Sequence, residues 1–240
     1  IEKYTQSLED EYYDDYYKKF LLRLYDKIGM NDKYIEVARK SGLSIELIDK
    51  LISLDRLSEA LEVCEQSTQK YFSKTIENKK IQILKKLGRK NELQKNLLHL
   101  LEKTGDFNYF IKLKQESSED EWKNYLKHII SDVKNKKRYA LLSRIYYDEH
   151  DYKKAYEYAQ NMTDLNYLEL LAKKLSIQHP DLACNAFKKL CYEWIHAGSG
   201  WPYKKAGRML EAIKRIDKKE TFFKTTKGEI IREHKKKYSL

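Results

Sequence analysis

Two cysteines and two histidines, the side chains that zinc prefers, lie within one short segment of the chain. They are Cys184, Cys191, His179 and His196. On an unbroken helix, the seven-residue spacing of the cysteines is a rise of about 10 Å, whereas two thiolates on one zinc ion must lie within roughly 4 Å of each other. We therefore predict no metal site and no cofactor, and we interpret both cysteines as small residues of a helical core.

Catalytic motifs are missing from the sequence. It contains no glycine-rich phosphate loop, no Gly-x-Ser-x-Gly turn and no His-Glu-x-x-His helix, and its 6 histidines occur singly. Adjacent carboxylates such as Asp14 and Asp15 point in different directions from a helix, so they do not converge as general acid–base catalysis requires. The sequence predicts a chain that is not an enzyme and has no catalytic residues.

A predicted helix that starts at Pro202 carries three cations on one face, with Glu211 between them. At 100° per residue the apolar side chains fall on the opposite face, which must be core. The cations are Lys204, Arg208 and Arg215, and the apolar residues are Tyr203, Ala206, Leu210 and Ile213. The basic face meets either a polyanion or only water.

Aromatic residues give a second set of candidate binding residues. Trp201 follows two glycines in the segment 197–202, where its indole either clamps a ligand or holds the loop against the next helix; we favour the second interpretation. Tyrosine occurs 20 times, and most of these rings are expected to pack between helices with a wet hydroxyl. Exposed ones could form a surface that binds a peptide or stacks on bases, and Tyr147 with its neighbour Arg144 is the candidate pair. The near-neighbour tyrosines are Tyr12, Tyr13, Tyr16, Tyr17, Tyr146, Tyr147, Tyr156 and Tyr158.

The elements that position these residues are predicted to be helices throughout. Valine is scarce and no segment alternates with period two, whereas Leu, Lys, Glu, Ala and Tyr recur at helical spacing. In the first helix an apolar residue recurs every four positions from Leu8 to Ile28, and Ser118 with Glu121 forms a capping box. The predicted helices span 8–28, 31–40, 44–53, 56–66, 70–87, 91–103, 106–115, 118–133, 136–148, 152–160, 164–176, 180–196, 202–216 and 220–236.

Faint repeats suggest how the helices are arranged. The segment 54–61 aligns with 87–93 at an offset of 33 residues, and 150–156 resembles the same turn and helix start. A period near 33 is typical of tetratricopeptide repeats. We predict a right-handed α-superhelix, or α-solenoid, of degenerate tetratricopeptide-like hairpins. It forms a single helical-repeat domain over 1–240, with a possible subdivision into 1–134 and 135–240.

Composition narrows the class of protein. The net charge is +11, and the 70 N-terminal residues carry more acidic than basic side chains, so the basic excess lies in the rest of the chain. Three cysteines, an odd count, fit a reducing compartment, and we expect a cytoplasmic location. No apolar run approaches the roughly 20 residues that cross a bilayer. Because the chain begins with Ile1, we expect it to be a fragment of a longer protein.

The last 100 or so residues resemble the helical region that follows the zinc finger in bacterial and archaeal SWIM zinc-finger proteins. The likeness rests on a Pro-x-x-Ala helix, a Tyr-x-x-Ala helix and a basic closing helix, here 180–195, 203–213 and 222–237. The resemblance implies a tetratricopeptide-like accessory region of a protein whose finger contacts nucleic acid or protein. The finger's own Cys-x-Cys and Cys-x-His pairs are absent from residues 1–240.

Two functions follow from these observations. The first is a non-catalytic scaffold, on which a partner protein is held by side chains from several hairpins. The second is an accessory module that binds nucleic acid through the basic C-terminal half, with affinity that depends on salt and not on sequence.

Overall fold

The computed structural model describes residues 11–70, 72–160, 162–198 and 200–234, and the side chains of these from residue 16 onward except 69 and 70. This described part of the chain contains fourteen helices and no strand, which confirms the all-α prediction. The helices are α1 (Glu11–Lys27), α2 (Asn31–Lys40), α3 (Ser44–Ser53), α4 (Leu57–Lys70), α5 (Lys74–Lys86), α6 (Lys90–Thr104), α7 (Phe107–Gln115), α8 (Glu119–Asn135), α9 (Tyr139–Asp148), α10 (Tyr152–Ala159), α11 (Leu165–Gln178), α12 (Pro180–His196), α13 (Trp201–Ile216) and α14 (Thr221–His234).

One turn geometry recurs between helices and accounts for the repeat seen in the sequence. Asp55, Gly88 and His150 all have left-handed backbone, with φ of 57°, 67° and 61°. In each case the next N–H bonds to the carbonyl five residues earlier, which is the Schellman end of a helix. These bonds run from Arg56 to Leu51, from Arg89 to Leu84 and from Asp151 to Tyr146, at 2.9, 3.0 and 2.9 Å.

Residues that favour a helix start lie at the first turns of α8, α12 and α13. Ser118 and Glu121 form the predicted capping box at the start of α8, with each side chain bonded to the other residue's backbone N–H. Pro180 is the first residue of α12 and Pro202 the second of α13, where a missing N–H costs no hydrogen bond.

The chain divides into two units, residues 1–99 and 100–240, so the division falls inside α6. The subdivision predicted between residues 134 and 135 falls in the last turn of α8, inside the second unit. In the first unit each helix from α1 to α5 packs on the next, and α3 also packs on α5. Its core contains fully buried apolar side chains, among them Ile48, Leu51, Ile76, Ile83 and Leu97.

The buried face of α1 differs from the prediction. The every-fourth run from Leu8 to Ile28 was expected to face the core, yet Tyr16, Phe20 and Ile28 are exposed and Leu22 with Tyr25 is buried instead. Each step of four residues turns 400°, so such a run drifts by 40° per step and winds around the helix. The helix ends at Lys27, and Leu8, like the side chains of Tyr12 and Tyr13, lies outside the described residues.

In the second unit the same neighbour-to-neighbour packing runs from α8 to α14, with further contacts of α7 on α9 and of α12 on α14. One core cluster joins α10 to α13 and includes Leu168, Leu171, Leu175, Phe187, Leu190 and Ile213. Helices that pack on the next and the next but one are typical of stacked helical hairpins. The superhelix and its right-handed sense stay predictions.

Within the described residues, no helix combines the length and the apolar character that spanning a membrane requires.

Candidate functional site

An open cleft of about 1040 Å³ lies at the start of α9 in the second unit. Its lining comes from the end of α6, the α8–α9 turn, the first turns of α9, the end of α10 and the connection to α11. The lining residues are Thr104, Gly105, Lys137, Arg138, Tyr139, Ala140, Leu141, Arg144, Glu157, Tyr158, Met162, Thr163 and Asp164. A second hollow of about 300 Å³ shares Gly105, Ala140, Leu141 and Arg144 with it, so the two are neighbours.

Arg138 fixes one wall of the cleft by capping the end of α6. Its Nη1 donates to the carbonyl of Glu102 at 2.9 Å, and Nη2 reaches the carbonyl of Lys103 at 3.3 Å. These are carbonyls that a helix end leaves without an intrahelical partner. Gly105 makes the approach possible, because it has a φ of +70° and because a Cβ there would lie 3.1 Å from Arg138 Nη1.

Three tyrosines from α9 and α10 form a stacked row at the cleft. The rings of Tyr139 and Tyr158 lie 6.0 Å apart at 18°, and those of Tyr158 and Tyr146 lie 5.7 Å apart at 6°. Tyr139 and Tyr158 line the cleft, and Tyr139 is 48% exposed. The row therefore presents a rigid aromatic surface, supported from behind, at the cleft opening.

A second aromatic group supports the cleft from α11. Tyr167 shares a hydrogen bond of 2.9 Å with Ser143, whose hydroxyl donates to the carbonyl of Ala155 at 2.6 Å. Burial raises the pKa of Tyr167 to about 12. Tyr147 packs edge-on against Tyr167 at 5.9 Å, and burial raises the pKa of Tyr147 as well.

The two predicted binding residues Arg144 and Tyr147 therefore have different positions in the structure. Arg144 lines the cleft, its guanidinium lies 5.7 Å from the Tyr167 ring, and one nitrogen is 3.4 Å from Asp164. Tyr147 does not line the cleft and packs between Tyr152 and Tyr167. Its role is to support the wall that holds Arg144.

The basic face predicted on α13 is present but lies outside the cleft. Lys204, Arg208 and Arg215 are exposed, and so is Glu211 among them. The opposite face is buried as expected at Ala206 and Ile213, together with Met209, while Tyr203 and Leu210 are half-buried.

Trp201 is the first residue of α13 and is 59% exposed. Its ring meets Trp194 of α12 edge-on at 5.5 Å, and the ammonium of Lys205 lies 4.2 Å from the Trp194 ring centroid and 4.3 Å from that of Trp201. Cation–π contact with two indoles holds the start of α13 on α12. These contacts are compatible with the indole holding the loop in place, and that role stays a prediction.

The cysteines belong to the core. Cys184 and Cys191 are buried on α12, and burial raises the pKa of their thiols to about 11 and about 12. No group of three potential metal-binding side chains occurs in the part of the chain that the structure describes. The ring of His196 lies 5.8 Å from that of His234, measured between centroids.

Sequence reasoning missed Lys137, Tyr139 and Tyr158 as members of one site. A signal for part of it was present: Tyr139 and Tyr146 are seven residues apart, so they fall within about 20° of each other on one helix face. The contribution of the α6 end could not be read from spacing, since it depends on how Arg138 folds over Gly105.

The comparisons with known proteins add no family to this picture, because no protein-family model matches the chain and no curated protein is detectably similar to it.

Proposed function

We propose that this chain is a non-catalytic protein-interaction scaffold and that the cleft of the second unit holds an extended segment of a partner protein. The observation that carries the proposal is the cleft itself, to which side chains of α6, α9 and α10 and of two connecting turns contribute. Helical-repeat proteins bind partners in this way, with a few side chains from each successive element.

The shape and chemistry of the cleft favour a segment of chain over a small molecule. Small-molecule pockets typically enclose about 300–1,000 Å³ and bury most of their ligand. This cleft is slightly above that range, is open and has the second hollow beside it. A rigid aromatic row beside exposed arginine is also the combination found where protein interfaces gain most of their affinity.

A peptide-display selection against the full-length chain tests this proposal. We expect enrichment of binding peptides, and we expect the double variant Tyr139→Ala/Arg144→Ala to lose their binding. The matched control is Lys127→Ala/Lys174→Ala, which removes two exposed side chains outside the cleft lining. A selection that enriches nothing, or peptides that bind the cleft variant as well as the parent, would refute the proposal.

A second candidate function rests on the basic face of α13. In the described part of the chain Lys204, Arg208 and Arg215 form no ion pair, so their charges remain available to a polyanion. Nucleic-acid binding through them would fall steeply with rising salt and would be insensitive to sequence. Charge reversal of all three, measured by anisotropy with an oligonucleotide over a salt series, should flatten that slope if this function is correct.

The resemblance of the C-terminal helices to the region beside a SWIM zinc finger, and a cytoplasmic location, remain proposals. The likeness is supported by residue types alone, at Pro180, Ala183, Tyr203 and Ala206. Finding Cys-x-Cys and Cys-x-His pairs elsewhere in the same reading frame would support it, and a full reading frame that contains neither pair would refute it.

A further inference from the structure

The charges of the cleft are unevenly placed, and this distribution points to the kind of segment that binds. Lys137, in the turn before α9, and Arg144, in the middle of α9, line the cleft, while Glu157 and Asp164 belong to the α10 and α11 side. We propose that the cleft selects acidic protein segments, with acidic side chains recognised by Lys137 and by Arg144 and an apolar side chain packed on the exposed ring of Tyr139. This inference rests on the proposed function and specifies its ligand.

Both cations have hydrogen-bonding capacity left for a ligand. Within the described residues Lys137 forms no ion pair, and its left-handed backbone, with φ of 53°, fixes where the side chain leaves the turn. Arg144 has one ion pair, a single contact of 3.4 Å with Asp164, although a guanidinium carries five N–H donors. The other oxygen of Asp164 is occupied by the N–H of Tyr167 at 3.0 Å. A ligand carboxylate can therefore bind Arg144 without displacing a strong internal pair.

The surroundings of Lys137 favour the approach of an anion. Four of the five residues in 134–138 are basic. Two of them have structural tasks, since Lys136 pairs with Asp132 and Arg138 caps α6. Lys134, which is exposed, and Lys137 keep their charges free of ion pairs in the described part of the chain. Such a cluster raises the rate at which acidic partners associate.

Two features favour a protein segment over a nucleic acid. Glu157 and Asp164 line the same cleft, and a backbone with a phosphate at every nucleotide would meet these carboxylates. An acidic peptide can place its carboxylates at Lys137 and Arg144 and its neutral amides beside Glu157 and Asp164. The rings of Tyr139 and Tyr158 also lie 6.0 Å apart in a stack, which leaves no space for a base between them. Of the three stacked tyrosines, only Tyr139 is exposed while Tyr146 and Tyr158 are half-buried, and one exposed ring is a poor platform for successive bases.

Three labelled peptide mixtures test the inference on the full chain. Each peptide has a central phenylalanine flanked by randomised positions that contain Ala, Gly or Pro and one further pair of residues. That pair is Asp and Glu in the acidic mixture, Asn and Gln in the amide mixture, and Lys and Arg in the basic mixture. Retention on the immobilised protein is compared for the parent, for Lys137→Gln/Arg144→Gln, for Tyr139→Ala and for the control Lys127→Gln/Lys174→Gln. Circular dichroism and urea midpoints establish that every variant is folded as the parent is.

We expect the acidic mixture to be retained about 10-fold more than the amide mixture, and the basic mixture least, from two charged hydrogen-bonding contacts in an exposed site. The Lys137→Gln/Arg144→Gln variant should bring acidic and amide retention within about two-fold of each other, and Tyr139→Ala should lower both. The control should match the parent.

Equal retention of the acidic and amide mixtures, with both lost in Tyr139→Ala, would overturn the charge selectivity and leave the proposed function standing. Preferred retention of the basic mixture would have the same two consequences. Retention of none of the three would count against the inference and the proposed function together. Displacement of the acidic mixture by a ten-nucleotide oligo-dT at equal concentration would show that the site responds to phosphate charge, and this too would overturn the inference.

Discussion

The contact between Arg138 and Gly105 allows a quantitative prediction about the wall of the cleft. Arg138→Ala removes one short charged hydrogen bond, at 2.9 Å, and contacts of 3.3 and 3.5 Å that are too long to add much. A bond from a charged donor contributes about 1.5–3 kcal/mol, and Arg138 is half-buried. We expect the free energy of unfolding of the second unit to fall by about 1.5–2 kcal/mol.

Gly105→Ala should be destabilising for two separable reasons. The left-handed backbone costs an alanine about 1–2 kcal/mol, and the new Cβ, 3.1 Å from Arg138 Nη1, forces the guanidinium to weaken its bond to α6. In the Arg138→Ala background only the backbone cost remains. The double variant should therefore be less destabilised than the sum of the single variants, by about 1 kcal/mol.

Urea unfolding of the full chain, followed by circular dichroism with the two units fitted as separate transitions, measures this cycle. Gly42→Ala is the matched control, because Gly42 has a φ of +69° and no atom within 4 Å of the added Cβ. Additive effects, or a Gly105→Ala cost no larger than that of Gly42→Ala, would refute the reasoning.

Three further predictions concern local structure and pH. Asp55→Gly should raise the free energy of unfolding by about 0.5–1 kcal/mol. Glycine removes left-handed strain of about 1–2 kcal/mol, and the greater freedom of the unfolded chain offsets about 0.4–1 kcal/mol of that gain; a lower urea midpoint would contradict this. In the capping box the bond from the Ser118 N–H to the Glu121 carboxylate is 2.7 Å long, and the bond from the Glu121 N–H to the Ser118 hydroxyl is 3.4 Å long. In urea titrations Glu121→Ala should lower the free energy of unfolding by about 1 kcal/mol and Ser118→Ala by about half as much. Equal losses would show that the two bonds do not differ in strength. Burial raises the pKa of Cys64 and Cys191 to about 12, whereas the thiols of the unfolded chain have a pKa of about 8.5. Between these values the folded state keeps protons that the unfolded state has lost. The free energy of unfolding should therefore fall as pH rises from about 9 towards 12. Urea midpoints at pH 8 and 10 test this, and replacing both thiols by alanine should reduce the slope.

Helix boundaries were predictable from sequence because their causes are local. A left-handed residue such as Gly88 or Asp55, a serine with a glutamate three positions later, and a proline at a helix start each act on backbone groups within one turn. These signals need no knowledge of the partner helix. That is why the ends of α2, α3 and α12 coincide with the predicted ranges.

The buried face of a helix and the residues of the cleft were harder to predict from sequence, because both depend on which helix packs opposite. The exposed Phe20 and buried Leu22 of α1 show that a run of apolar residues does not by itself identify the packed face. The cleft brings Thr104 and Asp164 together across 60 residues of chain. The spacing of Tyr139 and Tyr146 was a signal that sequence reasoning did not use. The approach of Tyr158 to these rings depends on the packing of α9 on α10.

Hydrogen exchange of the full chain, with and without a peptide from the display selection, tests the central claim most directly. The cleft lining includes residues 137–141, 144, 157–158 and 162–164, so we expect slower amide exchange in the segments 137–144 and 157–164 when the peptide is bound. Residues 201–216, which carry the basic face of α13, should exchange at the same rate in both samples. Protection confined to 201–216, with 137–144 and 157–164 unchanged, would contradict a partner segment held in the cleft.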